Sequence, residues 1–259
     1  MKLIRNSYFK SFCVLSLLVA GSGTYAQAEP TLYLGAFAGL SHSDNEFEDV
    51  NGFVGYGQNY ILEFDDTAAH LGLLFGSEWD REAYRLSVEV DVAKLANSSQ
   101  HLADPVGLDE TVYTDIDGLA SIRGRIAVPF SPNLRIFAAG GVAFADIRNK
   151  FVDIDFADDC PSGTDCTAET AKTSWFDADD SFSEREFETG WLAGLGVELD
   201  YSTGWTARLD VSYFDFGKQK YWVNNEGFTS SRTGEFVGRQ LYSVENTMWL
   251  SRIAVIRAF

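Results

Sequence analysis

Segments of about ten residues with alternating side-chain character recur along the chain, and they are the feature that most constrains its fold. In the clearest of them, 84–92, apolar side chains alternate with Arg85, Ser87, Glu89 and Asp91. Successive residues of a β-strand point to opposite faces, so the pattern predicts a strand with one apolar and one charged face. The charged face requires water or an enclosed polar interior.

The same pattern predicts eight strands in all. Beyond the N-terminal segment no run of 18 apolar residues occurs, so membrane-spanning helices are not predicted, and a closed barrel is the other structure that can cross a bilayer. We therefore predict an all-β fold, an eight-stranded antiparallel up-and-down transmembrane β-barrel. A soluble lipocalin-type barrel, with its apolar face inward, is the alternative. The predicted strands lie in 32–40, 71–79, 84–92, 119–128, 134–146, 187–201, 205–213 and 249–259.

The predicted connections alternate between short and long. Short turns fall near 80–82, 130–133 and 202–204, and long connections near 41–67, 94–117, 149–186 and 218–240. Short periplasmic turns and long outer loops are typical of outer-membrane barrels, so both chain ends are predicted on the periplasmic side and four loops at the cell surface. Aromatic residues are predicted at the lipid boundaries, where amphipathic rings are favoured: Tyr33, Trp79, Tyr84, Tyr201, Trp205 and Tyr213.

Residues 1–28 are predicted to be a signal peptide, which leaves 29–259 as the barrel domain. Three basic residues precede the apolar run 12–20, and Ala26-Gln27-Ala28 provides a small-residue cleavage site before Glu29. Cleavage would change the formal charge from −18 to −21, because the segment holds three basic residues and no acidic one. An acidic mature chain argues against nucleic acid as a partner.

The long connection around 149–186 contains the two cysteines outside the signal segment. Cys160 and Cys166 are predicted to form a disulfide in an exported protein, with a metal site as the alternative. Calcium is a weaker possibility at neighbouring carboxylates, because no EF-hand spacing occurs and acidic loops are usually solvated. No metal or cofactor is predicted; the weak candidate ligands are Asp153, Asp155, Asp158 and Asp159.

Charged residues on the inward faces of several strands are predicted to pair inside the barrel. Eight strands leave an interior that side chains just fill, so a structural plug is favoured over a solute pathway. The predicted network consists of Glu89, Asp91, Arg123, Arg125, Glu198, Asp200, Arg208 and Asp210.

Three stretches carry a resemblance to a known family. They are 121–144, with Ser-Ile-Arg-Gly-Arg-Ile-Ala-Val-Pro-Phe at its start; 190–217, ending in Tyr-Phe-Asp-Phe-Gly; and the terminal Phe259. The chain resembles the small outer-membrane β-barrel family that includes opacity-type porins and the transmembrane domain of outer-membrane protein A. Arg257 departs from the apolar residue usual at that position, which implies either an arginine at the interface or a register shifted by one residue.

We predict a non-enzymatic role in envelope integrity and surface contact, because the loops are long and charged and one of them carries the Cys160–Cys166 pair. The predicted partners are the lipid bilayer, lipopolysaccharide and an extracellular ligand for the loops. The resemblance adds the barrel-assembly machinery, with Phe259 as its recognition signal. A small porin with a narrow pathway is the alternative function, and a lipid-modifying or proteolytic barrel enzyme is a lesser one. The three histidines, His42, His70 and His101, form no recognisable catalytic grouping with serine and aspartate.

Overall fold

The computed structural model describes residues 29–52, 61–102, 110–154, 176–223, 228–230 and 233–259. Among these residues no helix is long and apolar enough to cross a membrane. The regular elements are all strands: β1 Thr31–Asp49, β2 Ile61–Asp80, β3 Arg85–Leu102, β4 Glu110–Ser131, β5 Leu134–Ile154, β6 Phe176–Ser202, β7 Trp205–Val223, β8 Phe228–Thr229, β9 Phe236–Val237 and β10 Gln240–Ala258.

Eight of these strands close into an antiparallel barrel in the order β1-β10-β7-β6-β5-β4-β3-β2, and the short strands β8 and β9 pair separately. Every long strand therefore neighbours the next long strand along the chain, and β1 pairs with β10 to close the ring. The predicted eight-stranded antiparallel up-and-down barrel is confirmed. Where all strands are paired, the closed barrel has no open sheet edge. Strands can cross lipid only in this arrangement, because hydrocarbon offers no partner for unpaired backbone N–H and C=O groups.

The apolar face of the alternating segments lies outside the barrel. Leu71, Leu195 and Ile253 are 65–67% exposed on the outer surface, whereas Glu89 and Arg123 on the inner face are 1% exposed. This orientation is opposite to that of a lipocalin-type barrel, so the soluble alternative is wrong. The outward apolar side chains form a continuous belt around the barrel.

The three short turns connect β2 to β3, β4 to β5 and β6 to β7, as predicted. They define one end of the barrel, here called the turn end, where Gly204 has φ +72°. Residues 29–30 and the C-terminus lie at the same end. Phe259 is 75% exposed there, and its N–H donates to the carbonyl of Leu32 at 2.9 Å. The opposite end, which carries the longer connections, is called the loop end.

Arg257 points outward at the turn end, in the register predicted for the terminal strand. Its Nη1 donates to the Thr203 carbonyl at 2.8 Å, and its guanidinium lies 5.2 Å from the centre of the Trp205 ring. The arginine thus places its charge at the polar rim while its stem covers apolar surface. A register shifted by one residue is not needed to explain it.

Strands continue well into the long connections predicted from sequence. A tilted strand of 9–11 residues crosses the hydrocarbon, yet the barrel strands contain 18–27 residues. Much of 41–67, 94–117, 149–186 and 218–240 therefore belongs to strands, and the prediction that these segments are loops is wrong in that part. Strand pairing continues there through backbone hydrogen bonds, which require no apolar outer face.

A row of aromatic rings marks the loop side of the apolar belt. The rings of Trp191 and Tyr213 are 5.5 Å apart, and those of Tyr213 and Trp249 are 5.0 Å apart. We call these three residues the girdle. The next outward residues beyond them on β7 and β10 are Asp215 and Thr247. The membrane-spanning segments therefore extend from the turn end to the girdle.

Not every predicted boundary aromatic lies at the lipid surface. Tyr33 points into the barrel and is 1% exposed, so its prediction as a boundary residue is wrong. It occupies the inward phase of β1, which it shares with Phe37. Tyr84, Tyr201 and Trp205 are exposed near the turn end, as expected for interfacial rings.

Candidate functional site: a buried arginine and carboxylate cluster

Strand register brings opposite charges together inside the membrane-spanning part of the barrel. Glu89 of β3 is the direct partner of Arg123 of β4, and Glu198 of β6 is the partner of Arg208 of β7. Arg252 of β10 lies opposite Asp210 of β7. Because direct partners share a face, each of these pairs points into the barrel.

The interior cluster contains eight side chains, none more than 4% exposed. Four carboxylates and four guanidinium groups give it a balanced formal charge. Seven members were predicted from sequence, and Arg252 was not. The cluster consists of Glu89, Asp91, Glu198, Asp210, Arg123, Arg125, Arg208 and Arg252.

Glu89 lies at the centre of the interior cluster. Its Oε1 accepts a hydrogen bond from Arg123 Nε at 2.8 Å, and its Oε2 accepts one from Arg208 Nη1 at 2.6 Å. Arg125 Nη1 and Arg252 Nη2 approach the same carboxylate at 3.5 and 3.6 Å. One carboxylate therefore contacts all four arginines, and removal of this side chain would leave several positive charges close together.

The other carboxylates complete the arginine contacts. Arg252 Nε donates to Asp210 Oδ1 at 2.7 Å, while its Nη1 donates to Asp91 Oδ2 at 3.3 Å. Arg123 Nη2 lies 3.0 Å from Asp91 Oδ2. Arg125 Nη2 lies 2.7 Å from an oxygen of Glu198. Planar guanidinium groups, each with five donors, can link several acids in this way.

Aromatic rings pack against the arginines. The guanidinium of Arg125 lies 4.3 Å from the centre of the Phe137 ring, and that of Arg252 lies 4.9 Å from the centre of the Phe37 ring. The Tyr33 hydroxyl donates to Glu89 Oε2 at 3.1 Å. Ring faces attract desolvated cations, so these contacts offset part of the cost of burying the charges.

Glycines on neighbouring strands make room for these rings. A Cβ at Gly76 would lie 2.3 Å from the Tyr33 ring, and one at Gly196 would lie 2.5 Å from the Phe137 ring. Any larger residue at either position would therefore displace an aromatic ring that contacts the cluster.

Asp200 does not join the interior cluster, which corrects its predicted position. It lies at the turn end with its side chain 30% exposed, hydrogen-bonded to Arg135 and, at 2.7 Å, to the Thr206 hydroxyl. Arg85 is nearby and donates to Asp80 at 2.7 Å. Asp200 is thus part of a rim network, because it lies one inward position closer to the turn than Glu198.

Arg252 could have been found from the alternation of the last strand. Trp249, Ser251, Ile253 and Val255 occupy every second position of this strand, so an outward face formed by them places Arg252 on the inward face. Tyr33 shows the same signal, because it lies between Leu32 and Leu34 on the apolar face. In both cases the alternation along the strand shows which face the side chain is on. The residue that it contacts depends on the register between strands.

Two apolar layers lie between the interior cluster and the loop end. The inner layer includes Leu95, Ile147, Leu192, Phe214 and Met248. The outer layer, referred to below as the aromatic layer, is formed by Phe47, Phe64, Val112, Phe151, Tyr221, Val223, Tyr242 and Val244, with Leu62 and Phe182 packed against it.

A column of small polar residues runs beside these layers on β1 and β3. Ser41 Oγ donates to Asn97 Oδ1 at 2.5 Å, and Asn45 Nδ2 donates to Ser99 Oγ at 2.9 Å. At the base of the column His70 is 3% exposed, and neither ring nitrogen has a hydrogen-bond partner among the described residues. Buried polar groups of this kind are commonly satisfied by water.

Several predicted sites fall outside the described residues. These are Cys160, Cys166, Asp155, Asp158 and Asp159, together with the signal segment 1–28. Only the backbone of Asp153 is described, and it pairs with Asp177. Across the described part of the chain, no group of three or more histidine, cysteine or acidic residues is arranged to hold a metal ion.

Comparison with known proteins gives a consistent family. A model of the outer membrane protein beta-barrel domain matches residues 12–234. The 31 kDa outer-membrane immunogenic proteins of Brucella melitensis and Brucella suis are each 22% identical over 203 residues, which cover 76% of this chain and 70% of the relative.

Similar solved structures include two outer-membrane proteins. The outer membrane protein OprG of Pseudomonas aeruginosa is 13% identical, with a TM-score of 0.46, and the alignment covers 89% of this chain and 96% of OprG. Ail, the attachment invasion locus protein of Yersinia pestis, is 7% identical, with a TM-score of 0.30, and the alignment covers 85% of this chain and 97% of Ail. Since the family model matches most of a chain that closes into an eight-stranded barrel, this protein belongs to the outer-membrane β-barrel family and resides in the cell outer membrane.

Proposed function

We propose that the protein is a closed anchoring barrel that contributes to envelope integrity and presents its loop end for contact with molecules outside the cell. The observation that carries the proposal is the interior cluster, whose four arginines and four carboxylates are nearly inaccessible to solvent. Charges paired this closely in a narrow interior leave little room for a hydrated solute. Two apolar layers lie beyond them and add further barriers.

Conductance in planar bilayers tests the closed interior. The wild-type protein is expected to give no large, steady current. A double variant, Glu89→Ala with Arg123→Ala, removes two large side chains without changing net charge, and it is expected to give no steady current either, because the two apolar layers remain. Steady nanosiemens openings of the wild type would contradict the proposal.

A narrow solute pathway is the second candidate, and one observation favours it. The polar column of Ser41, Asn45, Asn97 and Ser99 leads from the loop end towards His70, where buried nitrogens lack protein partners. Water needs two to four polar partners, and this column offers them. Brief, small openings of the wild type that Ser41→Val abolishes would favour this candidate over the closed barrel.

Surface contact is the second part of the proposed function. Support comes from the loop end, where long strands extend beyond the girdle, and from the Brucella relatives, which are named as immunogenic outer-membrane proteins. Lipopolysaccharide would surround the outer part of such a barrel. We expect antibodies raised against 155–175 to label intact cells. Labelling that requires permeabilised cells would place this segment on the periplasmic side.

We also propose that the protein is not an enzyme. Hydrolysis or acyl transfer needs a base beside a nucleophile or an activated water. The buried His70 packs its ring edge-on against Phe37 at 6.0 Å, which suits a packing role. Lipid A from cells with and without the gene should have the same acyl chains by mass spectrometry, and a difference would favour an enzyme.

A further inference from the structure

Backbone pairing stops at two places around the barrel although the strands continue. The β2–β3 ladder ends at Leu71–Lys94, and the β6–β7 ladder ends at Trp191–Asp215. Beyond these pairs lie 61–70 and 95–102 at the first seam, and 176–190 and 216–223 at the second. All four stretches are described strands, and none pairs across its seam.

The two seams lie on opposite sides of the ring. The strand order β1-β10-β7-β6-β5-β4-β3-β2 places four strands between them on either side. On the loop side of the girdle the barrel is therefore divided into two four-stranded half-sheets, β2-β1-β10-β7 and β3-β4-β5-β6. Within each half-sheet pairing continues, as in Glu46↔Glu63 and Phe151↔Phe182.

Each seam begins at a backbone irregularity. In β3 the register shifts between Lys94 and Asn97, next to the last β2–β3 pair. In β7 Gly217 has φ +72°, its N–H donates to Asp215 Oδ1 at 2.8 Å, and the register with β10 shifts at the same level. Bulges bend a strand and increase its twist, which explains why β3 and β7 diverge from their neighbours here. Both irregularities lie at the level where the apolar belt ends.

The two half-sheets meet through the aromatic layer. Phe47 and Tyr242 of one half-sheet pack on Phe151 of the other, with ring centres 5.4 and 4.7 Å away. Across the β6–β7 seam, the rings of Phe182 and Tyr221 stack at 4.5 Å. These contacts resemble those between the sheets of a sandwich, and unlike a continuous hydrogen-bonded ladder they can separate without breaking backbone pairs.

The two seams differ in the side-chain hydrogen bonds that cross them next to the last backbone pair. At the β2–β3 seam Asp66 accepts hydrogen bonds from the Ser98 N–H at 2.9 Å and from Asn97 at 3.4 Å, the latter through its carbonyl. At the β6–β7 seam a side-chain pair lies next to the girdle, where Gln219 Nε2 donates to Glu188 Oε2 at 2.6 Å. Farther out, Asn149 donates to the Tyr221 hydroxyl at 2.9 Å.

We propose that the loop half of the barrel opens at the β6–β7 seam, with Gly217 as the hinge and the Glu188–Gln219 pair as the latch. Opening would separate Phe182 from Tyr221 and expose the aromatic layer from the side, while the membrane-spanning part of the barrel stays closed.

The surroundings of Glu188 make the latch sensitive to pH. Its side chain is buried, and the acidic neighbours on its own strand are Glu184 and Glu186, whereas β5 presents Ala145 and Ile147 opposite. Burial, followed by the charge of Glu186 and a hydrogen bond with it, raises the pKa of Glu188 to about 7. Tyr221 faces the same seam from β7, but burial raises its pKa to about 12, so it remains neutral.

The sign of the pH dependence follows from this raised pKa. In an open seam Glu188 is hydrated and regains an ordinary carboxyl pKa, so the closed form binds the proton more tightly. Protonated Glu188 therefore stabilises the closed form. This stabilisation is complete at pH values below the ordinary carboxyl pKa of 4.5, and it is lost as the pH rises through about 7. Opening is therefore favoured on the alkaline side.

Distances between spin labels test the proposal in the full-length protein in lipid nanodiscs, with Cys13, Cys160 and Cys166 replaced by serine. Labels at Ser183→Cys and Lys220→Cys report across the β6–β7 seam. Labels at Lys150→Cys and Ser183→Cys report across the paired β5–β6 strands as a control. We expect the ratio of long to short distances in the first pair to rise roughly 70-fold from pH 5 to pH 8, because the pKa of Glu188 is about 7 in the closed form and about 4.5 once the side chain is hydrated.

Glu188→Gln keeps the geometry of the latch but cannot ionise. It is expected to hold the seam pair at the short distance at both pH values, while the control pair stays unchanged throughout. A single pH-independent distance in the wild-type seam pair would overturn the proposal. Opening that persists unchanged in Glu188→Gln would overturn the role of Glu188 as the latch.

Discussion

Arg252 shows how strongly the buried charges depend on one another. It contacts Asp210, Asp91 and Glu89, and these acids are also bound by the other arginines of the interior cluster. A buried ion pair adds little net stability over an apolar pair, but removing one partner leaves an uncompensated charge in a poorly hydrated interior. The cluster is therefore expected to tolerate balanced changes better than single ones.

The single substitution Arg252→Met should lower the free energy of unfolding by about 3–5 kcal/mol, because Asp91 and Asp210 lose a buried partner. Adding Asp210→Asn restores the charge balance and should recover part of that loss. Urea unfolding in detergent micelles, followed by heat-modifiable gel mobility, measures both effects.

Lys94→Ala is the matched control for Arg252→Met. Lys94 pairs with Asp117 at 3.3 Å on the outer surface, where both side chains are well exposed. Exposed pairs contribute about 0–1 kcal/mol, so this variant should unfold close to the wild type. An Arg252→Met protein as stable as Lys94→Ala would show that the interior charges are hydrated and independent.

Single strands show how far the sequence predicts this fold. In β3, alternation from Arg85 to Val92 predicted the strand, its two faces and the inward position of Glu89, because lipid and interior impose opposite polarity at successive residues. The same reasoning ended the strand near Lys94. Beyond Leu95 β3 carries polar side chains on both faces, so hydropathy shows no alternation although backbone pairing with β4 continues.

Which charged side chains pair with each other in the interior cluster depends on the register between strands, and a single sequence does not specify that register. Glu89 and Arg123 were both predicted to face inward, but their direct pairing follows from the β3–β4 register. Asp200 and Glu198 share one face of β6, and only the position of the turn decides that Asp200 reaches the rim while Glu198 reaches the cluster. The seam beyond Trp191 was equally hidden, because unpaired and paired strands can have the same composition.

The whole molecule consists of two parts with different environments. Between the turn end and the girdle, the outside is apolar and the inside holds balanced charge. Beyond the girdle, the outside is polar and the inside holds the aromatic layer. Each part thus inverts the polarity of the other, as expected if lipid surrounds only the first. This arrangement fixes the depth of the protein in the membrane from its surface alone.

That depth can be measured by placing one arginine at different heights on the outer face of β3. Val88 is 48% exposed in the middle of the apolar belt, while Gln100 points outward beyond the girdle. Val88→Arg should destabilise the folded protein in lipid vesicles by about 2–4 kcal/mol, because a charge at the bilayer midplane is costly. Gln100→Arg should change the stability by only about 0–1 kcal/mol. Equal losses at the two positions would mean that lipid also surrounds the loop half, since polar headgroups and water solvate arginine at little cost but hydrocarbon does not.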